Sequence, residues 1–188
     1  MRFILASASP RRSELLTRAG YEFDVVPADV DEHRRPDESP HDYVIRLAID
    51  KASVVATQND GQVVIGADTV VVIEGMVLGK PKGPAEAAAM LRQLSGHTHE
   101  VLTGVAVRRD SICLSGAETT RVSFAALGAD QIAWYVATGE PLDKAGAYGV
   151  QAIGSRFVTR LEGSYTNVVG LPVPLVDQLL SSPQLTVL

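Results

Sequence analysis

The sequence contains one cysteine, one tryptophan and only 5% aromatic residues in a chain of 188. A lone Cys113 cannot close an internal disulfide, so no cross-linked framework stands in for a core. It lies between Ile112 and Leu114 in what reads as a strand, and a buried, inert thiol is expected there because no pKa-lowering neighbour is evident. Long apolar runs are missing too, and the stretch Phe3 to Ala6 is too short for a signal sequence. A cytoplasmic protein without membrane partners is therefore expected. There is no excess of positive charge: 17 Lys and Arg against 22 Asp and Glu leave a net charge of −5. That balance excludes a general nucleic-acid binder but leaves room for one basic pocket holding a small anion. No Gly-x-x-x-x-Gly-Lys-Ser/Thr run is present, which excludes a Walker loop. His33, His41, His97 and His99 lack zinc-ligand spacing, and no Ser-His-Asp set stands out.

What is present is a globular composition, 46% hydrophobic and 21% charged, sufficient for one core over residues 1–188. Arg2 to Ala6 reads as a short buried strand. It leads into Ser7-Ala-Ser-Pro-Arg-Arg12, where Ser9 is a natural N-cap and Pro10 a natural first helical residue, the helix stopping at Gly20. After a strand over Phe23 to Val26, Ser39-Pro40 opens a helix with Val44, Leu47, Ala48, Ala52 and Val55 on one face. Val63 to Ala67 reads as a strand ending on Asp68-Thr69, followed by a hairpin of Val70 to Ile73 and Val77 to Leu78 around Glu74-Gly75. Pro84 begins an alanine-rich helix that Ser95-Gly96 ends, and Glu100 to Arg108 with Ile112 to Ala125 read as a long antiparallel pair. A helix over Ala129 to Ala137, a glycine-rich segment Gly139 to Gly154, a strand near Phe157 to Leu161 and a helix near Leu171 to Leu180 complete the chain. Helices and strands alternate but hairpins intervene, so one α/β domain with a mixed sheet is expected.

Several residues have the chemistry of a ligand site. The segment Ser7 to Arg12 sets hydroxyls and two arginines at a helix N-terminus, where unpaired N–H groups and the dipole favour an anion. A plain cap with both arginines solvated fits that segment equally well. Asp68, at an expected strand end, could hold a metal or take a proton from water, or simply form a turn. Among Asp29, Asp31 and Glu32, one acid could complete an oxygen-ligand set for Mg or Mn. Lys51 follows Leu47 by one helical turn at the border of the apolar face, where a lysine points partly inward, and Lys80 is fixed between Gly79 and Pro81. For each lysine taken alone, a stem along the surface with its head in water is the simpler reading. Gln151, in the glycine-rich segment, carries both a donor and an acceptor and suits the edge of a pyrimidine, although a flexible loop would read the same.

In order along the chain, six segments together resemble the Maf family of nucleotide pyrophosphatases: Ser7-Ala-Ser-Pro-Arg-Arg-Ser-Glu-Leu-Leu16, Gly66-Ala-Asp-Thr-Val70, Gly79-Lys-Pro81, Leu94-Ser-Gly96 with His99, Asp143-Lys-Ala-Gly-Ala-Tyr-Gly149 and Asn167-Val-Val-Gly-Leu-Pro172. The resemblance implies a Maf/ITPase-like fold, a two-lobed single domain with a curved mixed β-sheet, flanking helices and the active site in a cleft. It implies Asp68 as the catalytic proton acceptor, Glu32 with Asp68 at a divalent Mg or Mn ion, and Ser7, Arg12, Lys51 and Lys80 around a triphosphate. Arg11, Thr69 and Gln151 stand where the family's dTTP/UTP branch is marked. The implied reaction is hydrolysis of dTTP or UTP to the monophosphate and pyrophosphate, by metal-assisted attack of water on the α-phosphorus. A similar branch acting on 7-methyl-GTP carries Trp where Arg11 stands and Glu near Gln151, and so ranks behind. Ala152 departs from the glycine usual after the glutamine. Other readings are a nucleotide-responsive regulator of septum formation and cell division, and a house-cleaning enzyme for modified pyrimidine triphosphates. The resemblance also implies that the chain can form a homodimer.

Overall fold

The computed structural model describes residues 2–186. The elements run β1 (Arg2–Leu5), α1 (Pro10–Arg18), β2 (Glu22–Val25), α2 (Pro40–Ala56), β3 (Val64–Ile73), β4 (Met76–Leu78), α3 (Pro84–Leu94), β5 (Thr98–Arg109), β6 (Ile112–Phe124), α4 (Ala129–Ala137), β7 (Val158–Glu162), α5 (Tyr165–Val169), α6 (Val173–Leu180) and α7 (Pro183–Thr186). The strands form a seven-stranded sheet in the order β2-β1-β3-β5-β6-β7, with β4 paired to β3. β1 lies parallel to β2 and β3, whereas β3 with β4 and β6 with β7 are antiparallel, so the sheet is mixed as the alternation of elements required. The β3–β4 turn places Glu74 and Gly75 both at positive φ, the conformation that closes a two-residue hairpin.

The structure corrects four local expectations. β3 is one strand of ten residues running through Asp68, not a strand that ends there. The polar residue does not break it because a cation covers the carboxylate, as described below. Ser9 occupies the N-cap position of α1 without a side-chain cap, and the hydroxyl that accepts its N–H is that of Ser7, at 3.2 Å. Cys113 is exposed on β6, although partial burial still pushes its thiol above the ordinary value, the reverse of what a nucleophile needs. Short α5 and α7 escaped the pattern reading, since one turn of helix carries no periodic signal. The segment Gly139 to Gly154 is neither helix nor strand but a series of 3-10 turns, at Glu140–Asp143, Ala145–Ala147 and from Ile153.

The chain resolves into two compact units, Met1–Asp68 with Thr103–Glu118 and Gly170–Leu188, and Thr69–Leu102 with Thr119–Val169. In the first, α2 lies directly on the strands: Ile4, Ala6, Ala48, Ala52, Val64 and Ala106 form one buried cluster. Two glycines make that approach feasible. A Cβ on Gly66 would strike the carbonyl of Ala48 and the amide nitrogen of Ala52, and a Cβ on Gly104 would strike the backbone of Val44 and Ile45. In the second unit, Met90, Leu91, Val101, Phe124, Tyr135 and Phe157 belong to the core. His99 is buried against Phe124 and Tyr148, with its Nε2 2.8 Å from the Tyr148 hydroxyl, and desolvation pulls its pKa down to about 4. No helix among the described residues is long and apolar enough to cross a membrane.

Overpacking at a backbone-to-backbone contact costs about 1–3 kcal/mol. Gly66→Ala is therefore expected to lower the unfolding free energy by that order, seen as a lower urea midpoint at an unchanged m-value; an unchanged midpoint would show that α2 does not rest on β3 as described.

Candidate active site

Two periodicities bring the first charged groups together. Alternation along β3 puts Gly66 and Asp68 on the same face, and the helical repeat puts Ala48, Lys51 and Ala52 on one face of α2. Because Gly66 lets the helix down onto the strand at Ala48 and Ala52, Lys51 arrives over Asp68. Its Nζ lies 2.6 Å from Asp68 Oδ1 and 2.6 Å from Glu32 Oε1. The side chains of Lys51 and Asp68 are 10% and 12% exposed, whereas that of Glu32 is 59% exposed. Lys51 thus keeps its head out of water, contrary to the simple reading of a solvated lysine. Two carboxylates facing one ammonium leave a local excess of negative charge.

Arg12 completes the inner part of the site. It is buried, its Nε donates to the Gly170 carbonyl at 2.8 Å, and its Nη1 donates to Ser7 Oγ at 3.1 Å and to the Ala67 carbonyl at 2.8 Å. The guanidinium therefore ties the N-terminus of α1 to the residue preceding Asp68. Burial lowers the Arg12 pKa, the Asp68 and Glu32 charges oppose that, and Arg11 adds to it. Ser7, Arg12, Lys51, Asp68 and Glu32 are accordingly one electrostatic group in the first unit, with Arg11 beside them. Thr69 follows Asp68 along β3 and faces the opposite side of the strand. Lys80 and Gln151 are exposed and belong to the second unit.

The Maf-like protein family model matches residues 2–182. The chain belongs to the Maf-like family. It is 53% identical over 180 residues to a dTTP/UTP pyrophosphatase of Koribacter versatilis (strain Ellin345), covering 96% of this chain and 93% of that protein. It is 53% identical over 183 residues to a dTTP/UTP pyrophosphatase of Anaeromyxobacter dehalogenans (strain 2CP-C), covering 95% and 92%. Among solved structures, the Staphylococcus aureus Ham1 protein superposes with a TM-score of 0.52 at 15% identity, over 96% of this chain and 98% of that one. That likeness shows a shared fold.

In this Maf-like chain the structure also reveals residues that the sequence reading passed over. Glu32 sits on a long connection between β2 and α2, and α2 holds that connection by its backbone. Tyr43 donates its hydroxyl to the Glu32 carbonyl at 2.7 Å, and Arg46 donates Nη2 to the next carbonyl, His33, at 3.1 Å. Arg46 also pairs two-pronged with Glu38, at 2.6 Å and 2.9 Å, and its guanidinium lies 5.5 Å from the Tyr43 ring centre. Burial, then the charges of Asp68 and Glu32, raise the Tyr43 pKa, so it remains a donor at neutral pH. A signal was available: Tyr43, Arg46 and Asp50 recur at helical spacing beside Lys51, a polar stripe bordering the apolar face.

The Arg46 hydrogen bond, above all, holds the Glu38 carboxyl down at about 2, against an ordinary 4.5. A depressed folded-state pKa contributes stability that is complete above the unfolded value and is lost as pH falls through the folded one. The stability difference between the wild type and Glu38→Gln is therefore expected to be largest above pH about 4.5 and to shrink toward pH about 2, read from urea unfolding at a series of pH values. A difference independent of pH would contradict the pairing.

Proposed function

We propose that this protein is a dTTP/UTP pyrophosphatase, cleaving the nucleoside triphosphate to monophosphate and pyrophosphate. The observation that carries the reading is the Lys51 ammonium bridging Asp68 and Glu32, in a chain more than half identical to dTTP/UTP pyrophosphatases over nearly its whole length. In this reading Asp68 orients a water and takes its proton as the water oxygen bonds to the α-phosphorus. The bond from that phosphorus to the bridging oxygen breaks, and pyrophosphate leaves. Arg12, Lys51 and Lys80 with the Ser7 hydroxyl bind phosphate oxygens, placing positive charge where negative charge builds on the leaving group. Arg11, Thr69 and Gln151 are assigned to selection of the base.

The donor set fits a divalent ion of the Mg or Mn type. No group of three or more His, Cys, Asp or Glu among the described residues could hold a metal by itself. Such ions are commonly held by one or two carboxylates together with substrate phosphates and water, and Glu32 with Asp68, both also paired to Lys51, would supply that pair of carboxylates. A bound ion would neutralise triphosphate charge. The residues of the chain then divide the remaining work: Asp68 for the proton, the cations for the phosphates.

Removing a positioned general base costs about 100- to 10,000-fold in rate. Asp68→Asn is expected to lose pyrophosphate release by that factor on dTTP and UTP while still binding nucleotide, measured with Mg or Mn over a panel that adds CTP, dATP, GTP and 7-methyl-GTP. Near wild-type turnover would remove Asp68 from the role; tight binding with no turnover by the wild type would point to a nucleotide sensor instead.

A further inference from the structure

The glycine-rich segment of the second unit has a fixed point that the proposed chemistry does not use. Glu140 opens its first 3-10 turn, and its carboxylate accepts from the far end of the segment: Oε2 from the Ile153 N–H at 3.0 Å and Oε1 from the Gly154 N–H at 3.0 Å. Oε1 also accepts the Tyr135 hydroxyl at 2.9 Å, and that hydroxyl in turn receives the backbone N–H of Gly149. Both flanks of Gln151 are thus tied to one carboxylate, the Ile153–Gly154 side directly and the Gly149 side through a single hydroxyl. The bracket is tight. A Cβ on Gly154 would lie 2.6 Å from the Tyr135 hydroxyl and 2.8 Å from the Gly149 carbonyl oxygen, so the two flanks touch and only glycine fits. On the near side, Lys144 donates its ammonium to the Glu140 carbonyl at 2.7 Å.

Resting on the activity proposed above, we infer that Glu140 is a positioning residue for base selection, holding the backbone that carries the exposed Gln151 amide at a fixed place through the Tyr135–Gly149 and Ile153–Gly154 arms. The physical reason lies in the base. A uracil or thymine edge offers a carbonyl acceptor beside an N–H donor, which one amide matches with its NH2 and its oxygen; cytosine reverses both groups. Such a two-point match discriminates only if the amide cannot rotate or drift to suit either partner. A backbone of small residues has no restraint of its own against such drift, and the Glu140 bracket supplies it.

The test compares kcat/KM for UTP and CTP, amide hydrogen exchange over residues 149–154 and the thermal midpoint, in the wild type, Glu140→Gln and Tyr135→Phe. Glu140→Gln keeps the shape but turns one acceptor into an NH2 aimed at a backbone N–H. Displacement of a positioning group by about 1 Å can cost on the order of 100-fold, so the UTP-over-CTP preference should fall by about 10- to 100-fold, mainly through KM for UTP, with faster exchange at Ile153 and Gly154. Tyr135→Phe releases only the Gly149 arm and should give a smaller loss of the same kind. It carries the test should Glu140→Gln fail to fold. A merely structural role would instead lower kcat/KM for both nucleotides alike or shift only the midpoint, and either result overturns the inference. Wild-type selectivity retained by the variants overturns it while leaving the proposed activity intact. A wild type that turns over neither UTP nor dTTP overturns the activity, and the selection role with it.

Discussion

Burying an ammonium away from water costs several kcal/mol unless anionic partners replace the lost hydration. Lys51 is that ammonium, and most of the first unit is arranged around its two partners. Its helix must descend onto β3, which requires glycine at 66 and again at 104. Its buried partner must come from the middle of an otherwise apolar strand, which is why Asp68 interrupts the run of valines and isoleucines without ending it. Its outer partner must come from a connection with no regular structure, and α2 holds that connection through Tyr43 and Arg46, on the helix that also carries Lys51. One helix thereby fixes both the charge and the frame that aims the opposing charge.

Most of the architecture was legible because periodicity survives burial. The helix over α4 and the Glu74-Gly75 hairpin follow directly from apolar spacing and turn chemistry, and Pro10, Pro40 and Pro84 each mark a true helix start. What could not be read has equally physical causes. A run of apolar residues covered on both faces carries no mark of where it stops, so the strand through Asp68 looked as though it ended at the first polar residue. The exposed face of β6 alternates too weakly to show that Cys113 points outward. Residue by residue, Lys51 looks like any amphipathic lysine, since its partners come from positions 19 before and 17 after it.

The two units hold their polar groups by different means. The first unit holds strong charges in place by burial: Arg12 is locked by carbonyls and a hydroxyl, Lys51 by carboxylates. In the second unit the restraint comes from backbone N–H groups gathered on the Glu140 carboxylate, with Gln151 itself exposed. Glycine serves both, in one case so that a helix can touch a strand and in the other so that two ends of a loop can meet.

Lys51 and Asp68 form a coupled buried pair on which the rest of the site depends, and a double-mutant cycle in unfolding free energy measures that coupling. Removing one member of a buried pair strands the other charge at a cost of about 3–5 kcal/mol, so Lys51→Met should be strongly destabilising alone, and the double variant Lys51→Met with Asp68→Asn should recover at least about 1 kcal/mol relative to the sum of the single changes. Strict additivity, with neither variant compensating the other, would mean that the ammonium and the carboxylate do not hold each other, and the site described here would lose its organising contact.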